Sequence, residues 1–501
     1  MTESPNPCRT WWLRFASLFV PFLGPILLWR SKRTLGRKIL GTIGLFLYGI
    51  VYLGVIALLL MKYGGAEMDW RGGYIPILTW SKTTTDLDAL ARSRAEQAKA
   101  APVELQPVSA PPYWTGFRGP NRDGVYDEQP VLTNWPAGGP KLLWKQPCGG
   151  GYSSFAVAGG CAYTLEQRGE NEVAVAYDVQ TGRELWTNAW ATRFTEIHSD
   201  EGPRTTPEYH DGRLYVLGAK GELRCLEATN GQTVWRKNLI EDNTGVVPDY
   251  GHAGSPLVVD DRIVVQNYWP KTNLLRAVVC YRKSDGEMLW HGEEMTIGYA
   301  SPKLVTMFGE RHVIIGGRPD VFALRLEDGV KRWSVPWHIL NNERPIAQPL
   351  LLRSNRVMFS ASYMTGATVF EISKTGDTYA VKEAWRSRRL KNRFASSVVS
   401  AGYIYGLDED ILTCLDAETG ETKWKDGRYG YGQVLLASGH LIVLCANGDL
   451  ALVKATPAQH TELARVPGIK GKTWNYPALA GGRLLVRNIA EMACFDLRPE
   501  K

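Results

Sequence analysis

From Leu142 onward, short apolar runs alternate with turn residues, and the alternation repeats. Runs such as GRLYVL, DRIVVQ, ERHVII, NRVMFS and GHLIVL each have a second apolar run behind them, and then a phrase that ends in tryptophan. DVQTGRELW ends at Trp186, EATNGQTVW at Trp235, RKSDGEMLW at Trp290, RLEDGVKRW at Trp333 and DAETGETKW at Trp424. Glycine stands four residues before each of these, at Gly182, Gly231, Gly286, Gly329 and Gly420. A looser copy, EISKTGDTYAVKEAW, ends at Trp385, and LLWK around Trp144 is a tryptophan strand without its turn. The pattern predicts a strand, a tight turn whose glycine takes a positive φ, and a strand whose aromatic packs between neighbouring units. Asn230, Asp285 and Asp328 beside that glycine supply the usual turn chemistry. Pro207, Pro256, Pro302, Pro349 and Pro477 head a further strand, where no N–H is owed to the ladder.

Four strands per unit, at intervals of roughly 40 to 55 residues, describe the blades of a propeller. Seven fall near 151–187, 202–237, 251–293, 298–337, 346–389, 393–428 and 430–468. The eighth is split: residues 474–497 supply three strands without tryptophan, and Leu142–Lys145 supply the tryptophan strand alone. Joining them closes the ring and removes two edges that would otherwise invite aggregation. The expected fold is therefore all-β, an eight-bladed β-propeller of four-stranded antiparallel blades with its two ends in one sheet. A linear solenoid is the alternative.

The chain before the repeats behaves differently. Residues 39–61 run for 23 positions without a charge, enough to cross roughly 30 Å of hydrocarbon as a helix. Arg30, Lys32, Arg33, Arg37 and Lys38 precede them, and the positive-inside bias assigns that loop (30–38) to the cytoplasm and everything after Met61 to the far side. The apolar stretch Trp11–Trp29 contains Arg14, Pro21, Gly24 and Pro25, so either a helical hairpin or an interfacial segment plus one helix fits. Residues 1–62 are read as a membrane anchor, 63–112 as an Ala-, Thr- and Pro-rich stalk, and 113–501 as the propeller. The expected location is the cytoplasmic membrane with the propeller on its periplasmic side.

Charge adds one exclusion. The net +7 belongs to residues 1–62, which hold eight basic side chains against Glu3, leaving 50 of each sign in the remainder. A neutral exported part lacks the positive field that nucleic-acid binding needs. The lipid bilayer and envelope proteins are the expected partners.

AYDVQTGRELW (Ala176–Trp186) and CLDAETGETKW (Cys414–Trp424) resemble the tryptophan-docking repeat of the pyrroloquinoline-quinone-like propellers, a likeness that runs from Trp114 to Leu497. YWTGFRGPNRDGV (Tyr113–Val125) resembles the lead-in segment of the non-enzymatic-looking branch of that superfamily. The resemblance implies a propeller but not one function, because both quinoprotein dehydrogenases and BamB-type assembly lipoproteins carry such repeats. Quinoprotein alcohol dehydrogenases place an adjacent cysteine pair beside the quinone and bind calcium through acidic and Asn ligands. No two cysteines are adjacent here, so no catalytic residue or metal ligand is carried over and no cofactor is assigned. BamB is a lipoprotein, whereas Cys8 here precedes the apolar run.

Cysteine register argues against disulfides. Cys225, Cys280 and Cys414 lie six residues before the turn glycine, where other copies have Ala176 and Ala323, and Cys494 falls on the matching strand. They are expected to be small buried residues in separate blades. Candidate binding residues are those on connections leading to inner strands: Glu196, His198, Asp200, Arg204 and His252, with Arg393, Trp474 and Asn475. They are expected around an axial mouth, in a mixture suited to an acidic ligand or a metal, or else as solvated loop residues. No phosphate loop, H-E-x-x-H helix or G-x-S-x-G elbow occurs. Three functions remain: a non-catalytic envelope scaffold, a membrane-bound quinoprotein dehydrogenase using pyrroloquinoline quinone and calcium, and a sensor of a small molecule or glycan.

Overall fold

The computed structural model describes residues 23–69, 77–79, 83–99, 111–196, 200–268, 276–292, 296–340, 343–362 and 364–499. The chain divides into two compact units, Met1–Lys82 and Thr83–Lys501. In the first, helix α1 (Leu23–Trp29) turns into helix α2 (Leu35–Tyr63), with the Trp29 indole donating to Thr42 Oγ1 at 3.0 Å. α2 has no buried residue, and its length and composition suffice to cross a membrane. Residues 11–22 of the earlier apolar stretch lie outside the described residues.

The second unit contains eight four-stranded antiparallel blades. Seven are contiguous in sequence, beginning with blade one at Ala156–Ala158, Cys161–Arg168, Asn171–Asp178 and Glu184–Ala191. The eighth joins Ala478–Ala480, Arg483–Arg487 and Glu491–Asp496 to Lys141–Pro147 from the other end of the domain. Cys494 stands opposite Trp144 in that pairing, so the ring closes in the register the repeats predict.

Why the repeat needs its residues is visible between blades. Trp186, Trp235, Trp290, Trp333, Trp424 and Trp144 face Ala176, Cys225, Cys280, Ala323, Cys414 and Cys494, small residues that leave room for the indole. All seven described cysteines are buried and free, which is the packing role the register implies. The indole then reaches into the next blade. Trp186 Nε1 donates to Ala228 O at 3.0 Å, and Trp144, Trp235, Trp290, Trp385 and Trp424 make the equivalent bond. The ring lies on the turn glycine of that blade. A Cβ on Gly231 would sit 2.3 Å from Trp186, and Gly231 has φ 73°, so this position needs glycine on two counts. Blades five and seven are the exceptions: blade seven has Ala464 in place of the tryptophan and no glycine in its turn. The blade five hairpin (Gly366–Thr375, Thr378–Ser387) runs ten residues on each side, and Trp333 Nε1 is left buried without a partner.

Helix α3 (Leu87–Ala98) belongs to the second unit although its composition reads as stalk. Its N-cap Asp86 accepts from Ala89 N, and Leu90 is buried. Arg94 lies over the Tyr177 ring at 5.0 Å and pairs with Glu184 at 3.0 Å, while Gln97 donates to Gln146 at 2.6 Å. The helix therefore bridges blades eight and one across the closure.

The indole contact makes a paired prediction. Gly231→Ala meets both a left-handed backbone and the Trp186 ring, and should cost about 3 kcal/mol. Gly376→Ala has φ 57° but open space around it, and should cost only about 1 kcal/mol. Chemical unfolding of the full chain in detergent, followed by tryptophan fluorescence, measures the difference.

Candidate functional site

Antiparallel pairing sends the first strand of a blade away from one end of the ring and brings the fourth back to it. The connections between blades therefore gather at that end, the mouth, and the tight turns after the innermost strands lie at the other. At the start of each inner strand, short polar side chains link neighbouring blades. Ser154 N donates to Thr206 Oγ1 (3.1 Å), Thr206 N to Ser255 Oγ (2.9 Å) and Ser255 N to Ser301 Oγ (2.9 Å). The Gln348 side-chain amide donates to Ser301 O (2.9 Å) and accepts from Ser301 N (3.1 Å), and Gln348 N donates to Ser396 Oγ (3.0 Å). Gln433 Nε2 donates to Phe394 O and Trp474 O, and Asn475 Nδ2 to Gly151 O and Ser153 O. These bonds run once around the axis.

The lead-in segment occupies the axis itself. Trp114 O and Thr115 O accept from inner-strand amides of blades one and two, and Val125–Tyr126 pairs in parallel with Leu436–Ala437 of blade seven. Between them the chain makes a tight excursion with Arg118 (φ 64°), Gly119 (φ 82°), Arg122 (φ 51°) and Gly124 (φ 74°) in left-handed backbone. Buried Arg118 donates to Ser396 O, Ser397 O and Asp123 O and to the Tyr476 hydroxyl. Arg122 donates to Ser255 O, Pro256 O and Pro302 O and pairs with Glu208 at 2.9 Å. Lys303 Nζ caps Asn121 O and Arg122 O. Each guanidinium thus satisfies several backbone carbonyls at once, and the segment binds blades on all sides of the channel. Burial raises the Glu208 carboxyl to about 7 against the pull of Arg122, and lowers Lys303 to about 8. Pro120 and Asn121, at the tip, are exposed. The axis is closed, and the tip is the floor of the mouth.

The rim is aromatic. Tyr152, Phe194, Tyr250, Tyr299, Phe394, Tyr431 and Trp474 come from seven of the interblade connections. Trp474 stacks on Tyr152 (centroids 5.7 Å) and lies 4.4 Å from Phe394, which meets Tyr431 at 5.8 Å. Cations cover these rings: Lys472 over Trp474 at 4.1 Å, Arg393 over Tyr431 at 4.9 Å, Arg204 over Phe194 at 4.7 Å and Tyr152 at 5.8 Å. Across the mouth, Tyr299 meets Tyr250 and Tyr268, and Arg344 lies over Tyr268 at 5.2 Å.

The residues singled out in the sequence divide accordingly. Arg204, Arg393 and Trp474 join one continuous aromatic and cationic band through Tyr152 and Phe394. Glu196 pairs in register with Asp200 on a small hairpin, and Asp200 accepts from the Tyr152 hydroxyl (2.8 Å) and Lys472 Nζ (2.7 Å). His252 is buried with its ring edge-on to Tyr268, and burial lowers its pKa to about 4, so it is a neutral core imidazole rather than a displayed group. Asn475 belongs to the inner ring of hydrogen bonds. His198 lies outside the described residues. Apart from Trp474 the aromatic rim was not singled out, although an aromatic directly ahead of some small-polar strand starts, as in GYSS, GYAS and RFASS, was a partial signal.

Calcium beside a quinone would need gathered oxygen donors. Among the described residues no group of three or more His, Cys, Asp or Glu side chains meets, and Asp200 is already held by Tyr152 and Lys472. Among the described residues the mouth therefore offers no gathered carboxylates for calcium.

Comparison with known proteins gives two directions. A family profile described as outer membrane protein assembly factor BamB matches residues 169–426. A 103-residue stretch is 28% identical to a 1-butanol dehydrogenase (cytochrome c) of Thauera butanivorans, covering 19% of this chain and only 14% of that protein. Among solved structures, BamB from Moraxella catarrhalis aligns with TM-score 0.51 at 13% identity, over 72% of this chain and 100% of its own. The quinohemoprotein alcohol dehydrogenase of Comamonas testosteroni aligns with TM-score 0.56 at 13% identity, over 83% and 86%. A europium-containing methanol dehydrogenase gives TM-score 0.56 at 13% identity, over 76% and 91%. At such identities the structural likeness is one of fold.

A pH test follows from the wall of the mouth. Glu172 is buried between blades one and two, accepting from Trp190 Nε1 (3.0 Å) and Ala219 N (2.9 Å), and burial raises its pKa to about 7. The folded state therefore holds this proton more tightly than the unfolded chain, whose Glu titrates near 4.5. Its contribution is complete below pH 4.5 and is lost as pH rises toward 7. Relative to Glu172→Gln, the native protein should lose roughly 2–3 kcal/mol across that window, measured by denaturant unfolding at a series of pH values.

Proposed function

The chain belongs to the pyrroloquinoline-quinone-like repeat propeller family, and from that premise we propose that it is a non-catalytic binding scaffold of the bacterial cell envelope. The proposed arrangement has α2 crossing the cytoplasmic membrane, the propeller on the periplasmic side, and the mouth as the face that takes protein partners. One observation carries this reading: the axis is crossed by the chain's own Trp114–Tyr126 segment, and the rim around it is built of aromatic rings and cations, with Tyr250 exposed, Tyr152, Phe394 and Trp474 half-buried, and Phe194, Tyr299 and Tyr431 buried behind them. Aromatic and arginine side chains are the chemistry of protein-binding hot spots. A redox centre would call instead for gathered metal ligands. The stretch shared with the butanol dehydrogenase favours the second reading, a membrane-bound quinoprotein dehydrogenase.

Two measurements separate the readings. A photo-crosslinking amino acid at Tyr250, which is 39% exposed on the rim, should trap envelope proteins in intact cells. The same group at Phe308, 45% exposed on the opposite end of blade four, should trap few. Equal trapping at both positions would remove the mouth from consideration. Reconstitution of the full chain with pyrroloquinoline quinone and calcium should give neither stoichiometric quinone nor dye-linked alcohol oxidation; both together would establish the dehydrogenase instead.

A further inference from the structure

The mouth is not uniform in charge. The connection into blade six reads Arg386, Arg388, Arg389, Lys391, Arg393, with no acid among residues 386–393. Its conformation sorts these side chains outward. Leu390 is fully buried at a left-handed φ of 54°. Asn392 is buried too, donating to Leu407 O (3.0 Å) and accepting from the Ser397 hydroxyl (2.9 Å) and from Ser360. With every second residue pinned into the blade, Arg389, Lys391 and Arg393 are held in order on its edge. This sector is rigid, so little order has to be created on binding.

The local acids, Asp408, Glu409 and Asp410 on the neighbouring turn, balance it only in part: Arg428 takes Asp410, and Glu409 accepts from the Ser362 hydroxyl. Arg389 (3.8 Å), Lys391 (3.4 Å) and Lys425 all converge on the buried carboxylate of Asp408. Three cations on one carboxylate leave two positive charges over. Arg388 is exposed and, among the described residues, pairs with no carboxylate; Arg386 is matched by Glu383 at 2.7 Å. The sector is continuous with the aromatic band, because Arg393 lies over Phe394 (5.5 Å) and Tyr431 (4.9 Å) and donates to the Tyr431 hydroxyl at 3.0 Å.

We propose that the mouth takes an extended acidic polypeptide segment, its aromatic or apolar side chains on the rim around Trp474 and Phe394 and its carboxylates along Lys391, Arg389 and Arg388 of blade six. This deepens, and rests on, the reading of the mouth as a protein-binding face. A polypeptide fits better than an anionic bilayer because the positive charge is confined to one sector. The connections into blades two, three and five present Glu196, Asp200, Glu201, Asp249 and Glu343 on the same end of the ring. A flat anionic surface would meet those carboxylates as well; among the described residues, a single chain following blade six meets only Glu409, which already accepts from the Ser362 hydroxyl, and Asp410, which Arg428 pairs.

The test uses the full chain in nanodiscs of neutral lipid. The probe is a fluorescein-labelled peptide of about twelve residues, alternating Glu and Tyr, with a second peptide carrying Gln for Glu. The acidic peptide should bind at least about tenfold more tightly than its Gln counterpart, and should weaken as salt rises from about 50 to about 300 mM. Arg388→Glu/Arg389→Gln changes two exposed side chains without placing a like charge beside Asp408, and should weaken acidic-peptide binding about tenfold with little shift of the thermal midpoint. Equal affinity for the two peptides, or an unchanged double variant, overturns the proposal. So does flotation with phosphatidylglycerol vesicles in the absence of peptide binding. Should the double variant misfold, the peptide pair and the salt series on the native protein still decide. Crosslinking at Tyr250 without acidic-peptide binding would defeat this inference alone and leave the scaffold reading standing.

Discussion

The structure depends on an indole reaching across a gap between sheets. A four-stranded blade cannot bury both of its faces alone, and its neighbour has to supply the missing surface. Trp144, Trp186, Trp235, Trp290, Trp385 and Trp424 do this in the same way, ring on a neighbouring turn and Nε1 on a neighbouring carbonyl. Everything periodic in the sequence follows from that contact. Five of the turns carry glycine because a Cβ would strike the ring, and the residue opposite the tryptophan is small except at Val369, which faces Trp385; the blade seven turn that takes Trp424 lacks glycine. Cysteine qualifies by size. Its burial drives the thiol pKa upward, to about 12 at Cys280, Cys414 and Cys494, and keeps it inert.

A ring built from such contacts encloses an axis where eight strand starts bring their backbone polar groups together. Part of that demand is met by the circle of Ser, Thr, Gln and Asn bonds. The rest is met by Arg118, Arg122 and Lys303, cations whose main partners are carbonyls rather than carboxylates. Burying three cations beside Glu208 and Asp123 is tolerable only because the carbonyls are already aligned. Filling the axis this way makes the lead-in segment part of the domain rather than a linker, and it confines binding to the mouth and the outer surfaces.

This division explains what was legible in the sequence. The blades, the split eighth blade, the positive-φ glycines and the role of the cysteines could be read because each is tied to the indole contact, which recurs. The rim could not, because its aromatics sit on connections of unequal length where no period marks them. His252 misled for the converse reason. A polar residue on a connection looks displayed in sequence, yet this one turns inward against Tyr268. Helix α3 has the composition of a stalk, and only the pairing of Arg94 with Tyr177 and Glu184 reveals that it is docked. The axial cations were seen solely as part of a family-like segment, since nothing local says that Arg118 and Arg122 will meet carbonyls from strands far along the chain.

One break in the repeat falls between blades four and five: the blade five hairpin is longer and turns at Gly376 away from the indole, and Trp333 finds no carbonyl. The chain leaving that blade is the basic connection into blade six. A connection between two regular blades is bound at both ends by the indole contact and the strand-start bond. This connection keeps both, through Trp385 and Ser396, and Leu390 and Asn392 anchor it further, so that the alternate positions can be chosen for what they display. Five basic residues within eight positions are costly to keep together, because each repels the next, and Asp408 relieves only part of that cost. Packing does not require the clustering, since Arg388 and Arg389 are exposed. The excess charge therefore points outward, toward something that carries the opposite sign.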